Sequence, residues 1–452
     1  MSRSISLRAT MLCVLMTVAA VQAWAAPEDD ALVPQRIFLG ITADPAHSQT
    51  VTWRTAAPAA APQAQLAPWT ADPSPDKAAN TIQATAAAVE IAPGVQVTHY
   101  EALFDALEPG KGYAYRVGDG NAWSEWNYFR TATTNPDPYK FIFLGDAQRG
   151  VKTVWSRAVR EAVLRAPDAR FILHAGDLVD EGYDDAQWAE WCYALGFLSA
   201  RYPNITAVGN HDMNLPEGTP NYDKPAGVSP LWRAHFAYPK NGPADTPVLE
   251  EEAYFFDYQG VRFIVLETNA YALWELYDPE TRKLVQDKQI PWLEALLKDN
   301  PNRWTVVLQH EPMYQSGKNP DNPLLRDTLL PLFDKYRVDL VLQGHDHTYA
   351  RSKKLAAGQE VAPADPGTVY VVSVSGSRMY PANPIYANLM VKTQPNTQMY
   401  QIVDVNGDRL RYEAYTVTGM PVDSFELRKD ANGVSTFVDE TAPAQPQPAP
   451  AK

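Results

Sequence analysis

The sequence predicts two folded units in a chain of 452 residues, an all-β sandwich followed by an α/β domain. Short β-rich runs separated by Pro- and Gly-containing turns occupy residues 34–133. From residue 139 to about residue 430, apolar runs alternate with segments of helical spacing, which is the pattern of β-α-β units. Hydrophobic residues make up 45% of the chain and charged residues 20%, so both units have enough apolar material for a core.

The two ends of the chain lie outside these units. Residues 1–25 have the three parts of a signal peptide: a positive start, an apolar run at 11–21, and an Ala-Trp-Ala cleavage site that ends at Ala25. The apolar run is too short to span a bilayer, so we expect an exported protein, periplasmic or secreted, with no stable membrane insertion. The last dozen residues are rich in Pro and Ala, and we expect residues 431–452 to form a disordered tail.

The N-terminal unit contains several short β-rich runs with turn signals between them. A Glu-Pro-Gly turn ends at Gly110, and the Ala- and Pro-rich segment 56–79 predicts a long loop. This pattern resembles a fibronectin type III domain. The principal predicted strands are 36–42, 49–53, 95–104 and 112–117.

The α/β unit carries polar side chains directly after its apolar runs. Ligands of an α/β sheet gather outside the carboxyl ends of its strands, so five such clusters should meet at one place. Four of the eight histidines of the chain lie in these clusters. The clusters are Asp146-Ala147-Gln148, Gly176-Asp177, Gly209-Asn210-His211-Asp212, Gln309-His310-Glu311 and Gly344-His345-Asp346-His347.

The residue types in these clusters are those of a metal site. Carboxylate, amide oxygen and imidazole are donors for Mn, Fe and Zn. Residues i and i+2 of an extended chain share a face, so His345 and His347 can each bind one of two ions about 3.5–4 Å apart. Asp146 and Gln148 have the same spacing and could share one ion.

In this order, the five motifs resemble those of the calcineurin-like metallophosphoesterases. The unit before them, with Trp53, the turn at 108–110 and the run from Tyr113 to Gly118, is similar to the N-terminal domain of purple acid phosphatases. The resemblance implies two packed β-sheets flanked by helices over residues 139–430. It also implies hydrolysis of a phosphate monoester or diester by a hydroxide that bridges two metal ions.

The resemblance implies a role for each motif residue. Asp177 would bridge the two ions. His211 would face the substrate, where it stabilises transition-state charge or protonates the leaving oxygen, and Asp212 would orient it. The other ligands would divide between the two ions: Asp146 and His347 at the first, and Asn210, His310 and His345 at the second.

Two positions depart from the family pattern. Gln148 stands where many relatives carry His and purple acid phosphatases carry Gly; its amide oxygen is either a weak ligand or a group that orients water. Asp180 stands where purple acid phosphatases carry a Tyr ligand, so the iron-tyrosinate pair should be absent. We therefore expect two divalent or trivalent ions, Fe, Mn or Zn, without assigning the pair.

Charge and loop length bear on the substrate. The net charge of −14 argues against nucleic acid as the main partner and leaves a small phosphate ester. Two long loops, 215–250 and 377–395, are candidates for substrate contacts. Two alternatives stay open: a nucleotide pyrophosphatase or cyclic-nucleotide phosphodiesterase on the same site, and a non-catalytic adhesion or binding protein with a vestigial phosphoesterase domain. The oligomeric state does not follow from the sequence.

Overall fold

A computed structural model describes residues 31–213, 227–272 and 277–440. The predicted signal peptide and the last twelve residues of the predicted tail lie outside the described residues. The first eight strands build the N-terminal unit. They are β1 (Gln35–Leu39), β2 (Gln49–Thr55), β3 (Gln63–Pro68), β4 (Asn80–Gln83), β5 (Thr85–Ala92), β6 (Val95–Phe104), β7 (Gly112–Gly118) and β8 (Asn127–Arg130).

These strands form two antiparallel four-stranded sheets, in the orders β1-β2-β6-β5 and β4-β3-β7-β8. Their inner faces bury Trp53 and Tyr115, and Trp53 stacks on Tyr100 with ring centroids 5.3 Å apart. The predicted loop 56–79 is wrong in part, because β3 lies within it. Ala64 in β3 is fully buried between the sheets, so a small side chain occupies a core position that composition alone had marked as loop.

The remaining elements build the α/β unit. Its helices are α1 (Ser156–Arg165), α2 (Asp185–Leu195), α3 (Pro230–His235), α4 (Asn269–Ala272), α5 (Pro279–Lys298) and α6 (Pro323–Tyr336). Its strands are β9 (Tyr139–Leu144), β10 (Ile172–His174), β11 (Asn204–Thr206), β12 (Tyr254–Tyr258), β13 (Val261–Val265), β14 (Trp304–Leu308), β15 (Leu340–Gln343), β16 (Tyr349–Ser352), β17 (Leu355–Ala356), β18 (Gln359–Glu360), β19 (Val369–Val372), β20 (Met390–Gln394), β21 (Met399–Asn406), β22 (Arg409–Thr416), β23 (Pro421–Lys429) and β24 (Ser435–Asp439).

Two seven-stranded sheets pack face to face in this unit. Their orders are β11-β10-β9-β21-β22-β23-β24 and β12-β13-β14-β15-β19-β16-β20. Phe141 of the first sheet meets Phe263 of the second edge to face, with ring centroids 5.4 Å apart, so aromatic side chains fill the space between the sheets. The predicted fold class is therefore confirmed.

The sheet topology explains why the motifs meet. Strands β9, β10 and β11 are parallel to one another, and so are β13, β14, β15 and β19. Asp146, Asp177, His310 and His345 each follow the end of one of these strands by two or three residues. The carboxyl ends of both parallel sets open at the same edge of the unit, where ligands of α/β sheets gather.

The end of the described chain corrects one prediction. Strand β24 pairs with β23, and Asp439 makes an ion pair of 3.1 Å with Arg351. Residues 435–439 therefore belong to the sheet rather than to a disordered tail. The Pro- and Ala-rich composition begins only after them, and Phe437 gives this short segment an apolar side chain to pack on the core.

The sandwich contacts the α/β unit through polar groups that are partly or fully buried. Arg36 of β1 and Arg54 of β2 both bind the carboxylate of Asp185 at the start of α2, with shortest distances of 2.6 and 3.0 Å. His99 of β6 donates from Nδ1 to the carbonyl oxygen of Ala234 in α3 at 2.9 Å. In the described part of the chain, every helix is too short or too polar to cross a membrane.

Candidate metal centre

Four of the predicted ligands have left-handed backbone conformations. The φ angles of Asp146, Asp177, His345 and His347 are 51°, 52°, 69° and 49°. A non-glycine residue adopts this region at a cost of about 1–2 kcal/mol, and such strain clusters at functional sites. The motif loops are thus held in turns that present their side chains at the strand ends, at the expense of backbone stability.

Glycines in the motifs allow the backbone to approach these carboxylates closely. A Cβ atom at Gly209 would lie 2.2 Å from Oδ1 of Asp177, and one at Gly344 would lie 2.6 Å from Oδ2 of Asp146. No side chain fits at those distances. A larger residue at either position would overlap the carboxylate of a ligand, which explains why both positions carry glycine.

Asp177, His310 and His345 form one group of donor atoms that lie within 4.8 Å of one another. Nε2 of His310 is 3.4 Å from Oδ1 of Asp177 and 3.2 Å from Nδ1 of His345. Oδ1 of Asn210 faces the same point, 3.2 Å from His310 Nε2 and 3.0 Å from His345 Nδ1. Two imidazole nitrogens and two oxygens thus converge as a candidate cation site.

Asp146, Asp177 and His347 form a second group within the same 4.8 Å limit. Nε2 of His347 lies 3.7 Å from Oδ1 of Asp146. Asp177 belongs to both groups, and its Oδ1 atom faces His310 of the first group. The structure therefore brings together six of the seven predicted ligands as two adjacent sites with one shared carboxylate.

Hydrogen bonds behind two of the histidines hold their rings in a ligating orientation. Nδ1 of His310 donates to the carbonyl oxygen of Ala175 at 2.6 Å, and Nδ1 of His347 donates to that of Arg378 at 2.8 Å. With Nδ1 protonated, the lone pair of each Nε2 faces the site.

The two buried carboxylates of the site favour a bound cation. Asp146 and Asp177 are each only 1% exposed. Burial and the neighbouring Asp177 carboxylate raise the pKa of Asp146 well above its usual range, although His310 opposes the shift. Burial also acts on Asp177, but His310 and His211 outweigh it and lower the pKa of that carboxyl. Two buried carboxylates side by side are costly unless positive charge joins them, so the donor set fits a metal centre.

Gln148 lies beside the second group, but its amide nitrogen, not its oxygen, faces the donor atoms of that group. Its Nε2 contacts Oδ2 of Asp177 at 2.5 Å and Nε2 of His347 at 3.1 Å, while its Oε1 accepts from Nη1 of Arg378 at 3.1 Å. A guanidinium offers only donors, so it selects the amide oxygen. Ligation by Gln148 would require this amide to turn.

His211 stands at the edge of the two groups, and its orienting partner differs from the predicted one. Its Nδ1 donates to the carbonyl oxygen of Asp180 at 2.7 Å, and its Nε2 lies 3.3 Å from Nη1 of Arg378. We predicted that Asp212 orients this ring. The Asp212 carboxylate instead accepts from the backbone N–H groups of Asp177, Leu178 and Gly209 at 3.0, 2.9 and 2.9 Å, so it braces the loop of the shared carboxylate.

Asp180, at the tyrosine position of purple acid phosphatases, belongs to neither ligand group. Its carboxylate lies 2.8 Å from Nε of Arg149, 3.3 Å from Nδ1 of His211 and 3.6 Å from Nη1 of Arg378. The sequence places Arg378 within the long loop 377–395 and gives it no individual role. A basic residue shortly after a strand of the ligand-bearing sheet was the signal for it, but the sequence does not show which loop folds over the site.

Two family profiles match the chain. Residues 34–131 match the purple acid phosphatase N-terminal domain, and residues 139–349 match the calcineurin-like phosphoesterase. Acid phosphatase type 7 of Mus musculus is 27% identical over 344 residues, which are 71% of this chain and 71% of that protein. The Fe(3+)-Zn(2+) purple acid phosphatase 12 of Arabidopsis thaliana is 24% identical over 268 residues, 57% of this chain and 53% of that protein.

A solved structure shares the fold across both units. Purple acid phosphatase PPD1 from yellow lupin (Lupinus luteus) seeds superposes with a TM-score of 0.72 at 18% identity, covering 92% of this chain and 78% of that one. Profiles, relatives and fold agree with the resemblance carried by the motifs. The chain therefore carries a calcineurin-like phosphoesterase domain preceded by a purple acid phosphatase N-terminal domain, and it is a metal-dependent phosphoric ester hydrolase.

Proposed function

We propose that the two ligand groups form a binuclear centre that hydrolyses small phosphate esters. The observation that carries this proposal is the position of Asp177, whose carboxylate belongs to both groups. One carboxylate shared by two donor sets is the arrangement that holds two cations about 3.5–4 Å apart. The ligands would be Asp146, Asp177 and His347 at one ion, and Asp177, Asn210, His310 and His345 at the other.

The donor set is compatible with several ion pairs. Each site combines carboxylate oxygen with imidazole nitrogen, and one adds the amide oxygen of Asn210, a mixture that suits Fe, Mn and Zn. The name of the Arabidopsis relative assigns Fe(3+) and Zn(2+) to that protein. Gln148 becomes a further ligand if its amide turns its oxygen away from Arg378.

Bound ions would supply Lewis-acid chemistry, which polarises a phosphoryl oxygen and acidifies water. The protein supplies charge and position. Asp146 and Asp177 are the two carboxylates among the six ligands, so the centre with two divalent ions carries net positive charge and attracts an anionic ester. The neutral Asn210 preserves that charge.

His211 supplies the proton chemistry in this proposal. The Asp180 carbonyl oxygen accepts a hydrogen bond from Nδ1. This bond orients the ring so that its Nε2 atom faces Arg378 and the edge of the ligand groups. In its imidazolium form, with a second proton on Nε2, the ring can donate from Nε2 to a phosphoryl oxygen and pass that proton to the leaving oxygen. A non-catalytic adhesion protein would have no use for four strained ligand turns, so the geometry disfavours that alternative.

Metal analysis and turnover test the binuclear proposal together. We expect about two metal ions per chain in the purified protein, and hydrolysis of p-nitrophenyl phosphate or bis(p-nitrophenyl) phosphate that chelators abolish and added metal restores. Asp177→Asn should lose activity by orders of magnitude because the shared carboxylate no longer carries charge. A chain that binds one ion, or an Asp177→Asn variant with near-normal turnover, would contradict the proposal.

We also propose that the protein is exported. The three-part N-terminal pattern supports this, and Cys192 is the single cysteine after residue 25, so the mature chain requires no intrachain disulfide in an oxidising compartment. N-terminal sequencing of protein from the periplasm or medium should begin at or near Ala26. Recovery of the chain from the cytosol with Met1 intact would contradict export.

A further inference from the structure

Arg378 places a guanidinium between the proposed metal centre and His211. Its Nη1 lies 3.1 Å from Oε1 of Gln148 and 3.3 Å from Nε2 of His211. The amide nitrogen of the same Gln148 side chain contacts Asp177. We propose that Arg378 binds terminal oxygens of the substrate phosphate and favours phosphomonoesters over phosphodiesters. This inference rests on the proposed hydrolytic function and deepens it.

The backbone around Arg378 is tied to the metal centre. The carbonyl oxygen of Arg378 accepts from Nδ1 of His347 at 2.8 Å, and the N–H of Tyr380 donates to the carbonyl oxygen of His347 at 3.0 Å. On the other side, Oγ of Ser377 donates to the carbonyl oxygen of Arg149 at 2.5 Å. The guanidinium therefore extends from a segment whose position is fixed relative to a ligand, as a substrate-binding group requires.

The guanidinium has donors to spare. Nη1 is shared between Gln148 and His211, while Nε and Nη2 have no hydrogen-bond partner among the described residues. The side chain is 26% exposed, so an anion can reach it from solvent. These N–H groups can donate charge-assisted hydrogen bonds to a phosphate oxygen.

The charges nearby leave room for an anion. The single carboxylate of Asp180 faces two guanidinium groups, those of Arg149 and Arg378, and the imidazole of His211. Asp180 therefore holds Arg378 on the His211 side of the site but cannot neutralise both arginines. Where purple acid phosphatases carry a tyrosine ligand, this chain thus carries the counter-ion of a phosphate-facing arginine.

The number of terminal oxygens decides the substrate class. A phosphomonoester offers three terminal oxygens and up to two negative charges, whereas a diester offers two oxygens and one charge. The metal centre and His211 can engage two oxygens, so a third oxygen, present only in a monoester, is available to Arg378. Loss of the guanidinium should accordingly reduce monoester turnover more than diester turnover.

The experiment compares Arg378→Ala, Arg378→Lys and the control Arg130→Ala, which removes an exposed arginine from β8 of the sandwich, all metal-loaded. For Arg378→Ala we expect kcat/KM for p-nitrophenyl phosphate to fall about 10- to 100-fold, the loss of a charged hydrogen bond, with unchanged metal content. The fall for bis(p-nitrophenyl) phosphate should be about fivefold or less, and the dissociation constant of inorganic phosphate, measured by calorimetry, should rise in parallel with the monoester loss. Arg378→Lys should recover part of this loss because it keeps the charge but not the planar fork.

Each other outcome contradicts the inference in its own way. Equal losses for monoester and diester would refute the substrate preference, and equal losses in Arg378→Ala and Arg130→Ala would show a general effect of surface charge. Lost metal or a lowered melting temperature in both Arg378 variants would assign the residue a structural role. If the unmodified, metal-loaded protein hydrolyses neither ester, the proposed function fails, while the phosphate titration still tests Arg378.

Discussion

The contact between the sandwich and the α/β unit should weaken as the pH falls, and His99 should account for much of the effect. Nδ1 of His99 donates to the Ala234 carbonyl oxygen, and its buried Nε2 has no hydrogen-bond partner in the described structure. His235, whose ring centroid lies 5.0 Å away, accepts from Arg36 at 3.2 Å through its own Nε2. Protonation would add a positive charge near the guanidinium groups of Arg54 and Arg36, and an N–H without an acceptor.

The magnitude follows from the pKa of His99. Burial, together with the charge of Arg54, lowers it from 6.5 to about 4. The unfolded chain therefore binds this proton at a higher pH than the folded chain, so stability falls as the pH drops from 6.5 through 4. Linkage gives a loss of about 2 kcal/mol between pH 7 and pH 5 from His99 alone. Burial also lowers the pKa of His235 well below its usual range, which adds to the loss.

The assay is the free energy of unfolding from urea titrations at pH 7 and pH 5, for the native chain and for His99→Asn. The Asn side-chain nitrogen can take the place of Nδ1 and keep the bond to Ala234 but cannot titrate. The variant should be less stable at both pH values, because it loses ring packing, yet its loss between them should be smaller by about 2 kcal/mol. His47→Asn, which alters an exposed histidine paired with Asp44, is the control for a histidine substitution elsewhere in the sandwich. An equal pH-dependent loss in His99→Asn and the native chain would refute the reasoning.

Three further predictions concern the metal centre. His211→Ala should keep its metal but lose about 10²–10⁴-fold in kcat; metal content that falls with activity would make His211 a ligand. Asp212→Ala should lower metal affinity about 10- to 100-fold in a metal titration, because the loop of Asp177 loses three hydrogen bonds; unchanged affinity would remove the bracing role. Gly209→Ala should yield protein with less than the full metal content, because its Cβ would overlap Asp177 Oδ1 at 2.2 Å; full occupancy would show that the loop can shift.

The strand-end motifs were predictable because the spacing of their residues and their position after apolar runs both indicate one shared site. Asp146 and His310 each follow an apolar run, and parallel strands bring such positions to one edge without any knowledge of side-chain contacts. The strand β3 was not predictable from its Ala-rich composition, since burial of Ala64 depends on the strands that flank it. Local strand propensity does not indicate which strands will pack beside a residue.

Partners far apart in sequence mark the limit of prediction at the site. Gln148 and Arg378 are 230 positions apart, and no local pattern links an amide after β9 to an arginine after β19. The same holds for His211, whose spacing favours its neighbour Asp212 as partner, whereas the loop geometry supplies the carbonyl of Asp180. The sequence predicts which residues gather, but the hydrogen bonds among them depend on the loop conformations.

The absence of a tyrosine ligand leads to a spectroscopic prediction. The visible band of purple acid phosphatases requires a tyrosinate on ferric iron, and Asp180 occupies that position here. The next tyrosine along the chain, Tyr183, has a pKa raised by burial and by the charge of Glu252, a residue bound to Arg233 rather than to either ligand group. Iron-loaded, oxidised protein should therefore lack a strong visible band.

Tyr380 provides a sharper test of whether a tyrosine binds the metal. The ring centroid of Tyr380 lies 4.6 Å from that of the predicted ligand His347, so Tyr380 is close enough to the centre to require its own control. Its ring flanks the imidazole, and its backbone N–H is already bonded to the His347 carbonyl oxygen. Absorption spectra of the native chain, Tyr183→Phe and Tyr380→Phe, each loaded with iron, should be equally featureless in the visible range. A band that disappears in one variant would identify that tyrosine as a ligand and refute the ligand set proposed here, because that set contains no phenolate.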